Sequence, residues 1–363
     1  MTDSTQNGSS KTRVAILVEN GFEDSEFQVP YTALNRTEAE VVVLGTRMNE
    51  EYKGKQGNVS IRPDATTTEV LSDDFDAVVI PGGHAPDHIR VNDQAVRLVM
   101  NAMAQGKLIA AVCHGPQVLI EADQLRGKQA TGFRAIRKDM QNASATYVDE
   151  PVVVDGNLIT SRRPGDLPMF TTMILSRLGL SMDETLPDPA DETYDWWELA
   201  AKWHGSSRQD IVNVINTALV GERYTMGAFR QYKEKISDAE ANVVFSEVMT
   251  AKESHIERLE TRLRQFDEQV SWQAVGSEAF ATLQGWLQSS NEQEILRRAL
   301  GDLQTGLVDA TRFSAQLTDP VTSKLLDRIA GNLAQLEERV GDLYRARSGG
   351  KVEAPMPTTM AVG

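Results

Sequence analysis

Apolar and polar positions divide the chain into two regimes. From residue 13 to residue 178, short β-branched runs alternate with amphipathic stretches. Arg13-Val14-Ala15-Ile16-Leu17-Val18, Val41-Val42-Val43-Leu44, Phe75-Asp76-Ala77-Val78-Val79-Ile80 and Leu108-Ile109-Ala110-Ala111-Val112 are almost free of polar residues. Such uninterrupted runs read as strands of a parallel sheet covered on both faces. Helical periodicity lies between them near 25–36 and 93–105, and the alternation predicts an α/β sandwich. Ligands bind at the carboxyl ends of strands in such sheets, so the loops after Val18, Ile80 and Val112 are expected to converge.

The pattern changes near Leu180. Residues 181–206 are rich in Pro, Asp and Glu with Trp196, Trp197 and Trp203 interspersed, which suggests a linker that partly docks through its aromatics. Past Ser207 the alternation gives way to helical spacing over 208–235, 238–267, 291–317 and 320–345, with a shorter pattern near 273–288. Leu326, Ile329, Leu333, Leu336, Val340 and Leu343 repeat at three and four and form one apolar stripe. An antiparallel four-helix bundle is expected. The stripe is expected to face its interior, an exposed coiled-coil seam being the other destination. The domain organisation read from these patterns is a disordered tail over 1–12, a catalytic domain over 13–180, a linker over 181–206, a helical domain over 207–346 and a second tail over 347–363.

Composition narrows the classes of function. The 363 residues exceed a typical single core and favour two domains. A net charge of −15 argues against a nucleic-acid binder, because phosphate neutralisation needs clustered Lys and Arg. The charge is uneven, with 18 basic against 23 acidic groups to residue 180 and 19 against 29 beyond it. A solvated surface or a metal-attracting field would each account for the acidic half. No signal-peptide pattern opens the chain and no apolar run approaches membrane-spanning length, so a cytosolic protein without a membrane partner is expected. Without a dinucleotide fingerprint or a Walker loop, no nucleotide cofactor is expected.

The single cysteine excludes an intramolecular disulfide framework, which fits a reducing compartment. It lies in Ala110-Ala111-Val112-Cys113-His114-Gly115-Pro116, where a strand ends and a helix begins. A thiol there faces the positive end of the helix dipole, which lowers its pKa and favours the nucleophilic thiolate. The other reading is a small buried hydrophobe.

Four collinear motifs carry a resemblance: Leu17-Val18-Glu19-Asn20-Gly21-Phe22-Glu23-Asp24, Ile80-Pro81-Gly82-Gly83-His84-Ala85-Pro86-Asp87, Val112-Cys113-His114-Gly115-Pro116-Gln117 and Ser161-Arg162-Arg163-Pro164-Gly165-Asp166-Leu167-Pro168. Over residues 13–178 the chain resembles the PfpI family of intracellular cysteine peptidases and deglycases, within the ThiJ/PfpI superfamily. The resemblance implies a flavodoxin-like, glutamine-amidotransferase-like sandwich with Cys113 at a nucleophile elbow. It implies that Glu23 hydrogen-bonds the sulfur, that Gly83 and the backbone N–H of His114 form the oxyanion site, and that His114 shuttles the proton. It also maps an orienting carboxylate from an adjacent subunit onto Asp87, where the family often has glutamate. Read alone, Glu23 is also a first-turn helix glutamate, Gly82-Gly83 a tight turn, and Asp87 a turn or cap residue. Arg162 is either a site for a substrate carboxylate or a structural ion-pair partner. Arg163 stands where some relatives have histidine.

The helical half resembles the ferritin-like bundles of small stress-associated bacterial proteins, in which carboxylates and Glu-x-x-His motifs hold two metals. Glu222 and His255 fall on the inward stripes of the first two helices and are the metal candidates. Lys252 stands where the motif needs glutamate, Asp302 and Asp309 lie off the third stripe, and Asn332 and Gln335 flank the fourth. The expectation is therefore no metal site, and a buried Glu-His pair or polar network in its place.

Together these resemblances imply a cysteine-dependent deglycase, glyoxalase or peptidase of stress defence. It would act on reactive-aldehyde adducts or peptides, without a cofactor, as a homo-oligomer whose site is completed between subunits. A non-enzymatic redox sensor or chaperone using Cys113, and a metal-binding stress protein, are the competing readings.

Overall fold

The computed structural model describes residues 11–48, 50–183, 185–191, 194–268 and 291–349. The helical pattern near 273–288 and most of the two expected tails fall outside the described residues. The chain divides into two compact units between Ser207 and Arg208.

The first unit is built on a seven-stranded sheet. Its order is Val152–Asp155, Leu158–Ser161, Leu108–Val112, Ala77–Ile80, Arg13–Leu17, Glu40–Gly45 and Ala65–Thr66. All neighbours are parallel except the first two strands, which form an antiparallel hairpin turning at Gly156, φ +64°. Register sets Ala15 beside Val42 and Val78, and Val79 beside Ala110. The central strands are buried along their whole length because helices cover both faces. The helices Asp24–Asn35, Leu167–Arg177 and Trp196–Lys202 pack as one group, and Ala85–Ile89, Asp93–Ala104 and Pro116–Glu121 as another. Asn92 caps the Asp93–Ala104 helix by accepting from the N–H of Gln94 and Ala95 at 3.1 and 3.0 Å.

The aromatic stretch expected to be a linker is more ordered than its composition suggests. Trp196 and Trp203 are fully buried in the core of the sheet unit, and the indole N–H of Trp196 donates to the Asp191 carbonyl at 2.7 Å. Burying two indoles outweighs the cost of ordering the short helix between them.

In the second unit four described helices, Arg208–Lys235, Ala239–Arg264, Glu292–Gln316 and Pro320–Ser348, pack first on second and third on fourth, with the fourth also meeting the second. Asp238, Asn291 and Asp319 cap the last three of these helices. The stripe from Leu326 to Leu343 is buried at every position named above, so it is internal core rather than an exposed seam. Among the described residues no helix is long and apolar enough to cross a membrane.

Candidate active site

The strand Leu108–Val112 delivers Cys113 to the carboxyl edge of the sheet, and the helix Pro116–Glu121 leaves at once. The turn is sharp enough to force Cys113 to φ +59°, a region that L residues avoid. The turn is held from both sides: the Cys113 N–H donates to Ser161 at 3.0 Å, and its carbonyl accepts from the Phe133 N–H at 2.8 Å. Gly115 is required because a Cβ there would stand 2.4 Å from the Ile80 carbonyl oxygen.

Four groups build the site around Cys113. His114 Nδ1 lies 3.4 Å from Sγ, so the elbow is tight enough for sequence neighbours to touch. The backbone N–H of His114 is directed at the sulfur. Among the described residues neither the N–H of Gly83, at φ +77°, nor that of His114 donates to a backbone carbonyl. The fourth group is the carboxyl of Glu26, fully buried, with Oε2 accepting from the Gly82 N–H at 2.8 Å and Oε1 left without a protein partner.

Glu26 corrects the expectation placed on Glu23. Glu23 is the N-cap of its helix with extended φ and ψ, and its side chain pairs with Lys55 Nζ at 3.5 Å and Gln56 instead of the sulfur. Glu26, within the first turn, points inward at the sulfur. Burial, with the Glu23 charge adding to it, pushes the Glu26 pKa up to about 8, so it is a protonated acid at neutral pH and can donate to the sulfur.

The thiol departs from the sequence expectation as well. Burial first, then the Glu26 carboxyl and the Glu23 charge, push Cys113 above its ordinary value, and the His114 N–H offsets this only in part. The helix behind it is six residues long, and its dipole does not prevail. Burial also lowers the His114 pKa, which the Asp87 charge partly restores, so the ring is neutral at pH 7 and can accept the thiol proton. Phe133 packs on that ring with centroids 5.0 Å apart.

Asp87 is 65% exposed and meets Arg90 at 3.9 Å; within the chain it makes no hydrogen bond to His114. Arg162 is committed elsewhere. It grips Asp166 through Nε and an Nη at 2.9 and 3.2 Å and reaches Asp149 at 3.0 Å, so the structure favours the ion-pair role over substrate binding. The cation at the site is Lys55 instead, which neither periodicity nor motif indicates. Its loop is pinned by Asp24, whose carboxylate accepts from the N–H groups of Gln56, Asn58 and Val59, each at 2.8 Å. A Cβ at Gly54 would collide with that carboxylate at 2.4 Å. The Lys55 charge acts on Glu23, Glu26 and His114 together.

In the bundle Glu222 and His255 do come together, Oε2 to Nδ1 at 2.9 Å, but Lys252 joins them. Its ammonium is fully buried and stands 3.1 Å from Glu222 Oε1, while His255 Nε2 reaches Asn332 at 3.0 Å. Glu222 is thus neutralised by a protein cation, and burial, which would raise its pKa, is overcome by Lys252 and His255. Among the described residues no three His, Cys, Asp or Glu side chains gather in a metal-binding group.

Residues 12–177 match the DJ-1/PfpI family model. A solved two-domain protein from Anabaena variabilis, described as containing DJ-1/ThiJ/PfpI-like and ferritin-like domains, is 53% identical with a TM-score of 0.91, and the match covers 97% of this chain and 100% of that one. The Protein/nucleic acid deglycase 2 of Escherichia coli K12 is 40% identical over 46% of this chain and 98% of its own length. The Putative cysteine protease YraA of Bacillus subtilis 168 is 41% identical over 46% of this chain and 98% of its own. The chain therefore belongs to the DJ-1/PfpI family, with its parallel-sheet domain joined to a C-terminal helical domain like the ferritin-like one of its two-domain relative.

Proposed function

We propose that the sheet domain is a cysteine-dependent hydrolase of the deglycase, glyoxalase or peptidase kind, acting on reactive-aldehyde adducts or on peptides. The observation that carries this reading is the position of Cys113 Sγ, held at a strained elbow between a neutral imidazole and a protonated carboxyl, with the backbone N–H of His114 directed at it. A sulfur that served only to sense oxidants would not need a proton acceptor on one side and an oxyanion site on the other.

With an α-oxoaldehyde, Sγ bonds to the aldehyde carbon, the carbonyl electron pair moves to oxygen, and the thiol proton passes to His114 Nδ1. Gly83 and His114 N–H groups hold the oxyanion while Glu26 donates to the sulfur. His114 returns the proton to oxygen and completes a hemithioacetal. Proton transfer from this carbon to its neighbour gives a thioester, and water releases a hydroxy acid and the thiol. The oxidation is internal and no outside oxidant is consumed. With a glycated amine the same hydrolysis frees the amine, and with a peptide the intermediate is an acyl thioester.

Asp87 supplies the orienting charge. Its carboxylate is exposed and meets only Arg90, at 3.9 Å, which leaves it accessible to His114 of a second copy, and the working unit is proposed to be a homo-oligomer. Parallel assays of methylglyoxal, glycated amino acids and fluorogenic peptides test the proposal, with wild type against Cys113→Ala. Loss of every activity in the variant is expected; retention would refute the assignment.

A further inference from the structure

The second and fourth helices of the bundle, Ala239–Arg264 and Pro320–Ser348, leave a groove of about 750 Å³ between them. The His255–Asn332 hydrogen bond and the Glu247–Arg339 ion pair fix these helices in antiparallel register. In that register Arg258 and Arg328, one from each wall, stand at the same level of the groove. Two guanidinium groups placed so repel each other unless an anion lies between them.

Most arginines of this unit have a carboxylate partner. Arg223, Arg262, Arg312, Arg345 and Arg347 are each paired with an Asp or Glu. Arg258 and Arg328 have no carboxylate partner among the described residues. Their neighbours three and four positions away include no acid: Ser254, His255, Thr261 and Arg262 for one, Lys324, Leu325, Gly331 and Asn332 for the other. The one carboxylate lining the groove, Glu247, is already held by Arg339. Behind the two arginines, His255 and the buried Lys252 share a single carboxylate, Glu222, so the wall itself adds no negative charge. In a half of the chain that carries 29 acidic groups against 19 basic ones, this is a local inversion of sign.

Apolar side chains line part of the remainder, interspersed with Asn242, Ser246, Thr250 and Ser254. From Val243 to Arg258 it runs about 22 Å along the helix, and Val243, Ala251 and Leu336 line it away from the guanidinium pair, with Ile329 beside Arg328. A cationic end on a partly apolar trough fits one chemistry. The geometry points to a binding site for an amphiphilic anion, whose carboxylate or phosphate head is held by Arg258, Arg328 and the Asn332 amide while its aliphatic part lies along Val243 to Leu336. Bidentate guanidinium contacts suit either head group.

Calorimetric titration of the full-length protein with dodecanoate and with dodecyl phosphate, each kept below its micelle threshold, tests this. Saturable binding of about one molecule per chain is expected, weakened at least tenfold in the exposed-residue double variant Arg258→Gln/Arg328→Gln. The tighter of the two ligands identifies the head group. Equal binding by the double variant, equal binding of dodecyltrimethylammonium, or equally tight binding of inorganic phosphate would each overturn the site as described. So would failure of both anions to bind; if Arg258→Glu/Arg328→Glu then altered the mass in light scattering, the groove would be reassigned to contact between copies.

Discussion

The N–H of Gly82 donates to Oε2 of Glu26 across 2.8 Å, and this bond holds a buried carboxyl against the sulfur of Cys113. A Cβ on residue 82 would lie 2.6 Å from the same oxygen and 2.8 Å from the Cys113 Cβ. The expected outcome of Gly82→Ala is a displaced carboxyl, a loss of activity of tenfold or more and a destabilisation of about 1–3 kcal/mol. Kinetics and denaturant unfolding on the same preparation check both.

The proton on Glu26 has a sign that can be tested. Its pKa is raised to about 8 in the fold, so between pH 4.5 and 8 the folded state holds a proton that the unfolded chain has lost. Stability therefore falls as pH rises through this window, by up to about 1.4 kcal/mol per unit. Glu26→Gln, which cannot ionise, should flatten that slope. An unchanged slope in chemical denaturation from pH 5 to 8 would assign the proton elsewhere.

Lys55 lowers the pKa of both Glu26 and His114 by its charge. Lys55→Met should move the two limbs of the pH–rate profile upward together. A profile that keeps its shape and position would place Lys55 outside the electrostatics of the site.

The Glu222–Lys252 pair predicts an asymmetry. Lys252→Met leaves a buried carboxylate with only His255 and should cost about 3–5 kcal/mol, whereas Glu222→Gln/Lys252→Met removes both charges and should cost much less. Because Glu222 has a depressed pKa, the stability from this pair is present above pH 4.5 and is lost as pH falls through the folded pKa. Thermal unfolding of wild type, Lys252→Met, Glu222→Gln and the double variant across pH closes the cycle.

If Asp87 acts between copies, mixing Cys113→Ala and Asp87→Ala chains under subunit exchange should restore part of the activity. Demonstrated exchange without recovery would confine Asp87 to its own chain.

How much of this was legible depends on which physical signal each part carries. The four central strands were readable because both their faces are buried, which leaves a run of apolar residues without alternation. The edge hairpin Val152–Ser161 mixes Asp, Thr and Ser into its strands and so shows no uninterrupted apolar run, although Asp155-Gly156-Asn157 marks its turn. Cys113, His114 and Gly83 announced themselves by motif. Glu26 did not, because assigning the acidic partner by resemblance ignored helix phase: Glu23 is the cap residue and Glu26 lies in the turn that faces inward. Lys252 was noted as a missing ligand, and its role as the cation that neutralises Glu222 becomes visible only when the two helices are packed. Lys55 lies on a loop whose position is set by distant Asp24, a contact no local pattern encodes.

The backbone of Cys113 has one further consequence. A residue at φ +59° is held there at a cost of about 1–3 kcal/mol, which glycine would avoid. Cys113→Gly should therefore leave the elbow intact, offsetting the lost side-chain contacts with relaxed backbone, while removing the nucleophile. Selection for thermal robustness alone would drive position 113 toward glycine; a cysteine there records a demand that folding does not make.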